Sequence, residues 1–140
     1  MQSKATAVEE FIASWNKRDI DSAVSYFSEN CVYEDTKFAK RFYGRNEVKQ
    51  HLLKNAESLP VSTVIIIDKL SNDLVTRNVG IQWHIDAPGL ELPPAVRGAS
   101  MYTLNEQGQI ISGIDVLEPI VKAGWLSLRL AKGIRYVSGK

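Results

Sequence analysis

The fold is decided by residues 96–117, VRGASMYTLNEQGQIISGIDVL, in which two extended runs flank a short polar segment. Residues 96–104 and Ile110–Leu117 are rich in β-branched and aromatic side chains, which favour strands. Asn105 to Gly108 between them are turn-forming residues. Two strands joined this closely pair antiparallel, because a parallel pair needs a long crossover connection.

Two more extended runs, residues 61–67 and 74–86, precede this hairpin and are separated by Ser71-Asn72-Asp73. No helical segment lies between any of the four runs, so no crossover connection is available. The sequence therefore predicts four successive strands that pair antiparallel.

Helical periodicity dominates the first part of the chain. Apolar side chains spaced at i, i+3, i+4 and i+7 predict a helix over residues 7–15, and the same spacing predicts a second from the N-cap Asp19 to Phe27. A short strand follows at residues 31–35, and a third helix is predicted over residues 46–59. Helices thus precede the run of strands.

Residues 120–137 mix leucines with lysines and arginines and predict a fourth helix. We expect its apolar face to pack against the sheet or against a second copy of the chain; a membrane surface is not expected as a partner. The order α-α-β-α-β-β-β-β-α contains no repeat or linker. Residues 1–140 are therefore predicted to form one α+β domain.

Composition narrows the class of protein. Of 140 residues, 44% are hydrophobic and 24% charged, with a formal net charge of +1. This is globular composition, without the cationic excess of a nucleic-acid-binding protein, so no nucleic acid partner is expected. Cys31, His51 and His84 are too few for a Cys/His zinc site, and no phosphate-binding glycine loop occurs. We expect no metal and no cofactor.

The first residues carry no signal-peptide pattern. The expected compartment is the cytoplasm, or the plastid stroma if a transit peptide was removed.

Four sequence features together resemble a known superfamily: the helical segment 7–27, NCVYED at 30–35, YGRNEV at 43–48 and GQII at 108–111. They are similar to the SnoaL-like, or nuclear-transport-factor-2-like, superfamily. The resemblance implies a cone-shaped, cystatin-like α+β barrel, in which a curved antiparallel sheet wraps around helices and leaves a pocket. It also implies a homodimer.

Within that superfamily, three further segments resemble a group found in plant plastids and cyanobacteria. They are VGIQWHID at 79–86, RGASMY at 97–102 and IDVLEP at 114–119.

The resemblance implies candidate acid–base residues. Asp35 occupies a place similar to that of the general base of ketosteroid isomerases. The places of their two oxyanion donors hold Phe11, which cannot donate a hydrogen bond, and Ser100. Losing one such donor costs about 2.7–4 kcal/mol, so steroid-type isomerisation by this machinery is disfavoured.

Two other enzyme types of the superfamily point to Asp115. It resembles the last aspartate of the Asp-Arg-Asp arrangement of limonene-epoxide-hydrolase-like members, but Asn78 and Gly80 replace the other two residues. SnoaL-like cyclases use a histidine and an aspartate, and His84 and Asp115 are the candidates for that pair.

By the register that the resemblance implies, strand alternation gathers a polar set in the cavity. The catalytic candidates are His84, Asp115 and Asp35, and the ligand-binding candidates are Tyr33, Gln82, Ser100, Tyr102 and Trp15.

Each candidate also has a structural interpretation. His84 fits a hydrogen-bonded histidine in a half-buried strand, Asp115 an acceptor for a neighbouring loop or subunit, and Asp35 a turn residue at a strand end. The tryptophans fit core or interface positions. His51 is predicted to pack.

The sequence thus favours a SnoaL-like protein that binds a small apolar molecule, with two functions open. One is a cofactor-independent isomerase or cyclase that uses these acid–base groups. The other is a non-catalytic ligand carrier or dimeric protein-interaction module. Whether the protein is an enzyme is left open.

Overall fold

The structure is a computed structural model that describes residues 6–89, 96–119 and 122–137. It confirms the predicted α+β class. Its elements, in chain order, are α1 (Ala7–Asn16), α2 (Ile20–Ser25), β1 (Phe27–Asp35), β2 (Phe42–Tyr43), α3 (Gly44–Ser58), β3 (Val64–Asp73), β4 (Asn78–Asp86), β5 (Arg97–Leu104), β6 (Ile110–Leu117) and α4 (Trp125–Val137).

The six strands form one curved sheet in the order β2-β1-β6-β5-β4-β3. The predicted antiparallel pairing of β3 to β6 is confirmed, whereas β1 pairs with β6 in parallel. A parallel pair forms here because β1 and β6 are far apart in the sequence and no hairpin constrains their direction. The sheet is not closed, so its edges are β2 and β3 and it is a cup rather than a barrel.

Helix α1 fills the cup, as its periodicity predicts. Its N-terminus is a capping box, in which the hydroxyl of Thr6 accepts from the Glu9 amide at 3.3 Å and the Glu9 carboxylate accepts from the Thr6 amide at 3.0 Å. The buried face of the helix carries the residues predicted for it, Val8, Phe11, Ile12 and Trp15. These side chains join those of α2, α3 and the inner face of the sheet in one core.

Several strand boundaries differ from the prediction. Strand β4 begins at Asn78 instead of residue 74, and the two-residue strand β2 was not predicted. Phe27 opens β1 instead of ending α2, because it pairs with Ile110 of β6. Strand β3 continues to Asp73, whose carboxylate accepts from the Val75 amide at 2.9 Å and the Thr76 hydroxyl at 2.7 Å and so stabilises the turn into β4. The turn therefore lies after Ser71-Asn72-Asp73.

Asn16, at the end of α1, binds the edge strand β3 as another strand would. Its side-chain amide donates to the Ile65 carbonyl at 2.9 Å and accepts from the Ile65 amide at 2.8 Å. The backbone N–H and C=O of Ile65 therefore have hydrogen-bond partners within the protein, although an edge strand usually exposes such groups to water or to another chain. This contact fixes the open rim of the cup to the helix inside it.

The fourth helix is present but does not cover the sheet. The exposed fractions of Trp125, Leu126, Leu128 and Leu130 are 82%, 58%, 59% and 60%. The expected packing of these side chains against the sheet is therefore wrong, and packing against a second copy stays a prediction. The first two residues of the predicted helix, 120 and 121, lie outside the described residues.

Replacing Asn16 with Ala tests the contact with β3. The variant leaves both polar groups of Ile65 without their partner, so we expect the free energy of unfolding to fall by about 1–3 kcal/mol. Urea denaturation measures the change. The control is Asn72→Ala at an exposed position of the same strand, where we expect little effect; equal losses in both variants would contradict the assigned role.

Candidate functional site

A cavity of about 300 Å³ lies between the helices and the inner face of the sheet. This is at the lower end of the range for small-molecule sites. Most of its wall is apolar, with side chains from α1, α3, β3, β4 and β6 such as Ile12, Leu52, Ile65, Ile81 and Leu117. A small set of polar side chains also lines it, so the cavity has the composition typical of a ligand site.

Asp115 of β6 is the centre of that polar set. Its Oδ1 accepts from the Ser100 hydroxyl at 2.6 Å and from the Tyr102 hydroxyl at 2.7 Å, and its Oδ2 accepts from the Tyr33 hydroxyl. These donors come from β5 and β1, the strands on either side of β6. One carboxyl group thus joins three strands by hydrogen bonds at the floor of the cavity.

Strand register and a glycine allow this convergence. Ser100 lies opposite Asp115, while both Tyr33 and Tyr102 lie opposite Gly113. A Cβ atom at Gly113 would be 2.6 Å from Cδ1 of Tyr102, closer than atoms can pack. The missing side chain at this position therefore lets both rings lie across the strand and reach Asp115.

Trp83 sets the direction of the Ser100 hydrogen bond. Its indole Nε1–H lies 2.8 Å from the Ser100 Oγ, and because an indole only donates, the Oγ accepts and gives its own proton to Asp115. Gly98 makes room for this ring, since a Cβ there would be 2.5 Å from Cζ2 of Trp83. The hydrogen bonds therefore run in one direction, from Trp83 through Ser100 to Asp115.

The environment changes the acidity of these groups. Burial raises the pKa of Asp115 above its usual value, and the bonds from Ser100, Tyr33 and Tyr102 offset only part of that effect. Burial and the neighbouring charge of Asp115 raise the pKa of both tyrosines well above 10. Both hydroxyls therefore remain protonated donors.

A second carboxyl, Asp35 of β1, also lines the cavity and has a different environment. His51 of α3 lies with Nε2 3.1 Å from its Oδ2, the Lys37 amide donates to its Oδ1 at 3.1 Å, and the Lys37 ammonium is 3.5 Å away. Burial raises the pKa of Asp35, but the bonds to His51 and Lys37 outweigh it and the net pKa is lowered.

His51 is buried, as predicted, and its ring stacks on Phe42 with centroids 4.1 Å apart. No local pattern in the sequence indicates its bond to Asp35, because the two residues meet only where α3 packs over β1.

Most of the predicted residues do meet in the cavity. Its lining includes Trp15, Tyr33, Asp35, Ser100, Tyr102 and Asp115.

His84 and Gln82 are the exceptions, and here the predicted placement is wrong. Ile81 lies opposite Ser100 in the sheet, so Ile81 and Trp83 share its inner face, while Gln82 and His84 lie on the outer face. The Nδ1 atom of His84 is 2.8 Å from Oδ2 of Asp68, with a third of the His84 side chain exposed. The predicted pair of His84 with Asp115 is therefore not assembled.

The sequence held the signal for the correct register in β4. Val79, Ile81, Trp83 and Ile85 are apolar and alternate with Gly80, Gln82 and His84. Since apolar side chains of a strand point to the core, this alternation favours the odd-numbered face. Trp83, which the prediction treated as core or interface, is the cavity-lining side chain that this alternation identifies.

Within the described ranges, no group of three or more His, Cys, Asp and Glu side chains is arranged to hold a metal ion.

Comparison with known proteins identifies the family. A family model for the SnoaL-like domain matches residues 8–113, and the chain belongs to this family. No curated protein matches the sequence. The narrower resemblance, to the plastid and cyanobacterial group, has no support from these comparisons.

Solved structures share the fold at low sequence identity. A protein of unknown function with a cystatin-like fold from Methylobium petroleophilum is 17% identical, with a TM-score of 0.69 over 84% of this chain and 78% of its own. The epoxide hydrolase/cyclase-like enzyme SalBIII, described for pyran ring formation in the polyether salinomycin, is 20% identical, with a TM-score of 0.66 over 80% and 88%.

A third structure is a hypothetical protein with a ketosteroid isomerase-like fold from Catenulispora acidiphila, in complex with trimethylamine. It is 17% identical, with a TM-score of 0.65 over 81% of this chain and 86% of its own. At these identities the likeness concerns the fold alone.

Replacing Gly113 with Ala tests how the rings reach Asp115. The added methyl overlaps Tyr102, so we expect the variant to lose about 1–3 kcal/mol of stability. The control is Gly80→Ala, where the new Cβ would make ordinary contacts, with Met101 at 3.5 Å and Ser71 at 4.0 Å. Thermal unfolding compares the two, and a Gly113→Ala protein as stable as the control would contradict the packing described.

We expect the pKa of Asp115 to lie above that of an ordinary aspartate and the pKa of Asp35 to lie below it. Folding raises the pKa of Asp115, so its contribution to stability is present below its unfolded pKa and is lost as pH rises through the folded pKa. Folding lowers the pKa of Asp35, so its contribution is present above the unfolded pKa and is lost as pH falls through the folded pKa.

A carboxyl ¹³C NMR titration measures both values, with Asp115→Asn and Asp35→Asn to assign the signals. Shifts in the same direction for both groups would refute the described environments.

Proposed function

We propose that this SnoaL-like chain binds a small, largely apolar molecule in the cavity and moves a proton on it, with Asp115 as the acid–base group. The reaction class is an isomerisation or cyclisation next to a carbonyl. One observation carries the proposal: a desolvated carboxyl group surrounded by three hydroxyl donors in an otherwise apolar cavity.

The apolar wall accounts for binding. Burial of apolar ligand surface contributes roughly 25 cal/mol per Å² before the costs of association. The ligand's polar group then has one region of the cavity in which its hydrogen bonds are met, the floor that carries Asp115 and its donors. This supports one orientation, with an oxygen of the ligand directed at the tyrosine hydroxyls.

Burial raises the pKa of Asp115, which makes the carboxylate a stronger base than an ordinary aspartate. Asp115 in its ionised form removes a proton from the carbon next to the carbonyl. The electron pair of that C–H bond forms a carbon–carbon double bond, and the π pair of the carbonyl moves to the oxygen to give an enolate. The enolate then collapses back as the proton on Asp115 is returned to another atom of the ligand.

The two tyrosines supply the donors for the negative oxygen that forms. Once Asp115 is protonated it is a weaker acceptor, so the hydroxyl of Tyr33 or Tyr102 turns its hydrogen bond to the ligand oxygen. Trp83 holds Ser100 as a donor to Asp115 throughout. The donors are already present in the cavity, which limits the reorganisation that the step requires.

Asp35 has a supporting role in this scheme. Its lowered pKa keeps it ionised, and its charge adds to the factors that raise the pKa of Asp115. Two carboxyls whose environments move their pKa values apart are typical of acid–base sites.

The alternative function is a non-catalytic carrier. It has its own support, because the ring of donors around Asp115 is complete without a ligand and the rest of the wall is apolar. A carrier would use the cavity for burial alone. The homodimer, the plastid and cyanobacterial relationship and the cellular compartment remain predictions from the sequence.

An exchange experiment separates the two functions. The probe is 2-tetralone, an apolar bicyclic ketone with acidic α-hydrogens, and NMR in D₂O measures the rate at which they are replaced. If Asp115 is the base, the wild type exceeds the buffer rate, and Asp115→Asn lowers the catalysed rate by about 100-fold or more. We expect Tyr102→Phe to retain part of it.

The control is His84→Ala, which changes only the outer face and should leave the rate unchanged. Stabilisation by the probe in a thermal-shift assay without any faster exchange would favour the carrier. Catalysis that survives in Asp115→Asn would contradict the assigned base.

A further inference from the structure

Charge is divided unequally along the chain. Residues 120–140 contain five lysines and arginines and no aspartate or glutamate, whereas residues 1–119 contain the other 12 basic residues and all 16 acidic ones. The two parts therefore carry formal charges of +5 and −4, although the whole chain is close to neutral. An asymmetry of this size between parts of a sequence is typical of a segment that binds an anionic surface.

The cationic part contains α4, in which four large apolar side chains that the structure describes are in solvent. Trp125 is 82% exposed, and Leu126 and Leu130, four residues apart on one side of the helix, are 58% and 60% exposed. Arg129 and Lys132, three residues apart, share the adjacent side. Trp125 and Leu128, four residues before Arg129 and Lys132 respectively, lie on this basic side. Leucines next to a strip of basic residues are the pattern of a helix that lies in the plane of a membrane interface.

In place of the sequence-based expectation that no membrane surface is a partner, we propose that α4 binds the surface of an anionic lipid bilayer, with Leu126 and Leu130 in the boundary between headgroups and acyl chains. Arg129 and Lys132 then contact lipid phosphates, and their aliphatic stems follow the apolar boundary. The helix lies on the bilayer, because no helix in the described part of the chain is long and apolar enough to cross it.

Two other occupants fit the observations less well. The α4 of a second copy would bring two helices together that both lack acidic residues, so their charges would repel. A nucleic acid would satisfy Arg129 and Lys132 but would leave the leucines in water. The anionic bilayer satisfies both the charge and the apolar side chains.

The net negative charge of residues 1–119 contributes to the orientation of the protein on the bilayer. Residues 1–119 are repelled by anionic lipid, so α4 is the part of the molecule that approaches the surface. Lys122, just before the helix, is 2.9 Å from Glu118 and belongs to the domain's own ion pairs.

Cosedimentation with vesicles tests the proposal on the full chain. We expect the wild type to sediment with vesicles of equimolar phosphatidylserine and phosphatidylcholine, to remain in solution with phosphatidylcholine alone, and to be released by salt. Removing the charges in Arg129→Gln/Lys132→Gln should lower the partition coefficient about 30-fold, at about 1 kcal/mol per basic residue. The variant Leu126→Ser/Leu130→Ser should also lose binding.

The matched control is Lys54→Gln/Lys69→Gln, which removes two exposed charges from α3 and β3 and should leave vesicle binding unchanged. Equal unfolding midpoints confirm that all variants fold.

Three outcomes overturn the proposal: equal sedimentation with both vesicle types, an equal loss in the control, or tighter binding to a DNA duplex than to vesicles. A dimer that light scattering detects and Leu126→Ser/Leu130→Ser dissociates, without vesicle binding, assigns the helix to a second copy instead. None of these readouts depends on activity at Asp115.

Discussion

A carboxyl group placed in an apolar cup has to be supplied with donors, and much of the inner surface of this protein follows from meeting that requirement at Asp115. The donors come from β1 and β5, on both sides of β6, so the hydrogen bonds join the parallel strand pair to the antiparallel part of the sheet. Gly113 is needed because the rings of Tyr33 and Tyr102 cross that position. Stability and candidate chemistry therefore depend on the same few contacts.

The sequence correctly predicts the α+β class and the helix inside the cup. It also places five of the polar residues correctly around the cavity. The helix follows from a local signal, the spacing of Val8 to Trp15, which tertiary packing preserves. The placement of the polar residues follows from the register that the family resemblance implies, combined with strand alternation. The prediction fails at β4, where the assumed register displaces the pattern by one residue. A displacement of one residue moves every side chain to the opposite face. His84 and Gln82 were therefore predicted to lie in the site, whereas the structure places Trp83 there.

Other features depend on contacts between distant parts of the chain, for which the sequence holds no local pattern. The bond between His51 and Asp35 forms only because α3 packs over β1, and the parallel pairing of β1 with β6 brings Asp35 level with Asp115. The different pKa values of Asp35 and Asp115 follow from these neighbours. In the sequence the two aspartates cannot be told apart in this respect. The amide of Asn16 on Ile65 likewise joins residues 49 positions apart.

The bond from Trp83 to Ser100 has a spectroscopic consequence. An indole whose N–H is engaged by an oxygen emits according to the polarity and proton arrangement around that oxygen, and here the same oxygen donates to Asp115. Trp15 is on the cavity wall, whereas Trp125 is in solvent. Trp83 is hydrogen-bonded to the network of Asp115, so we expect its fluorescence emission to change with the protonation and occupancy of the cup.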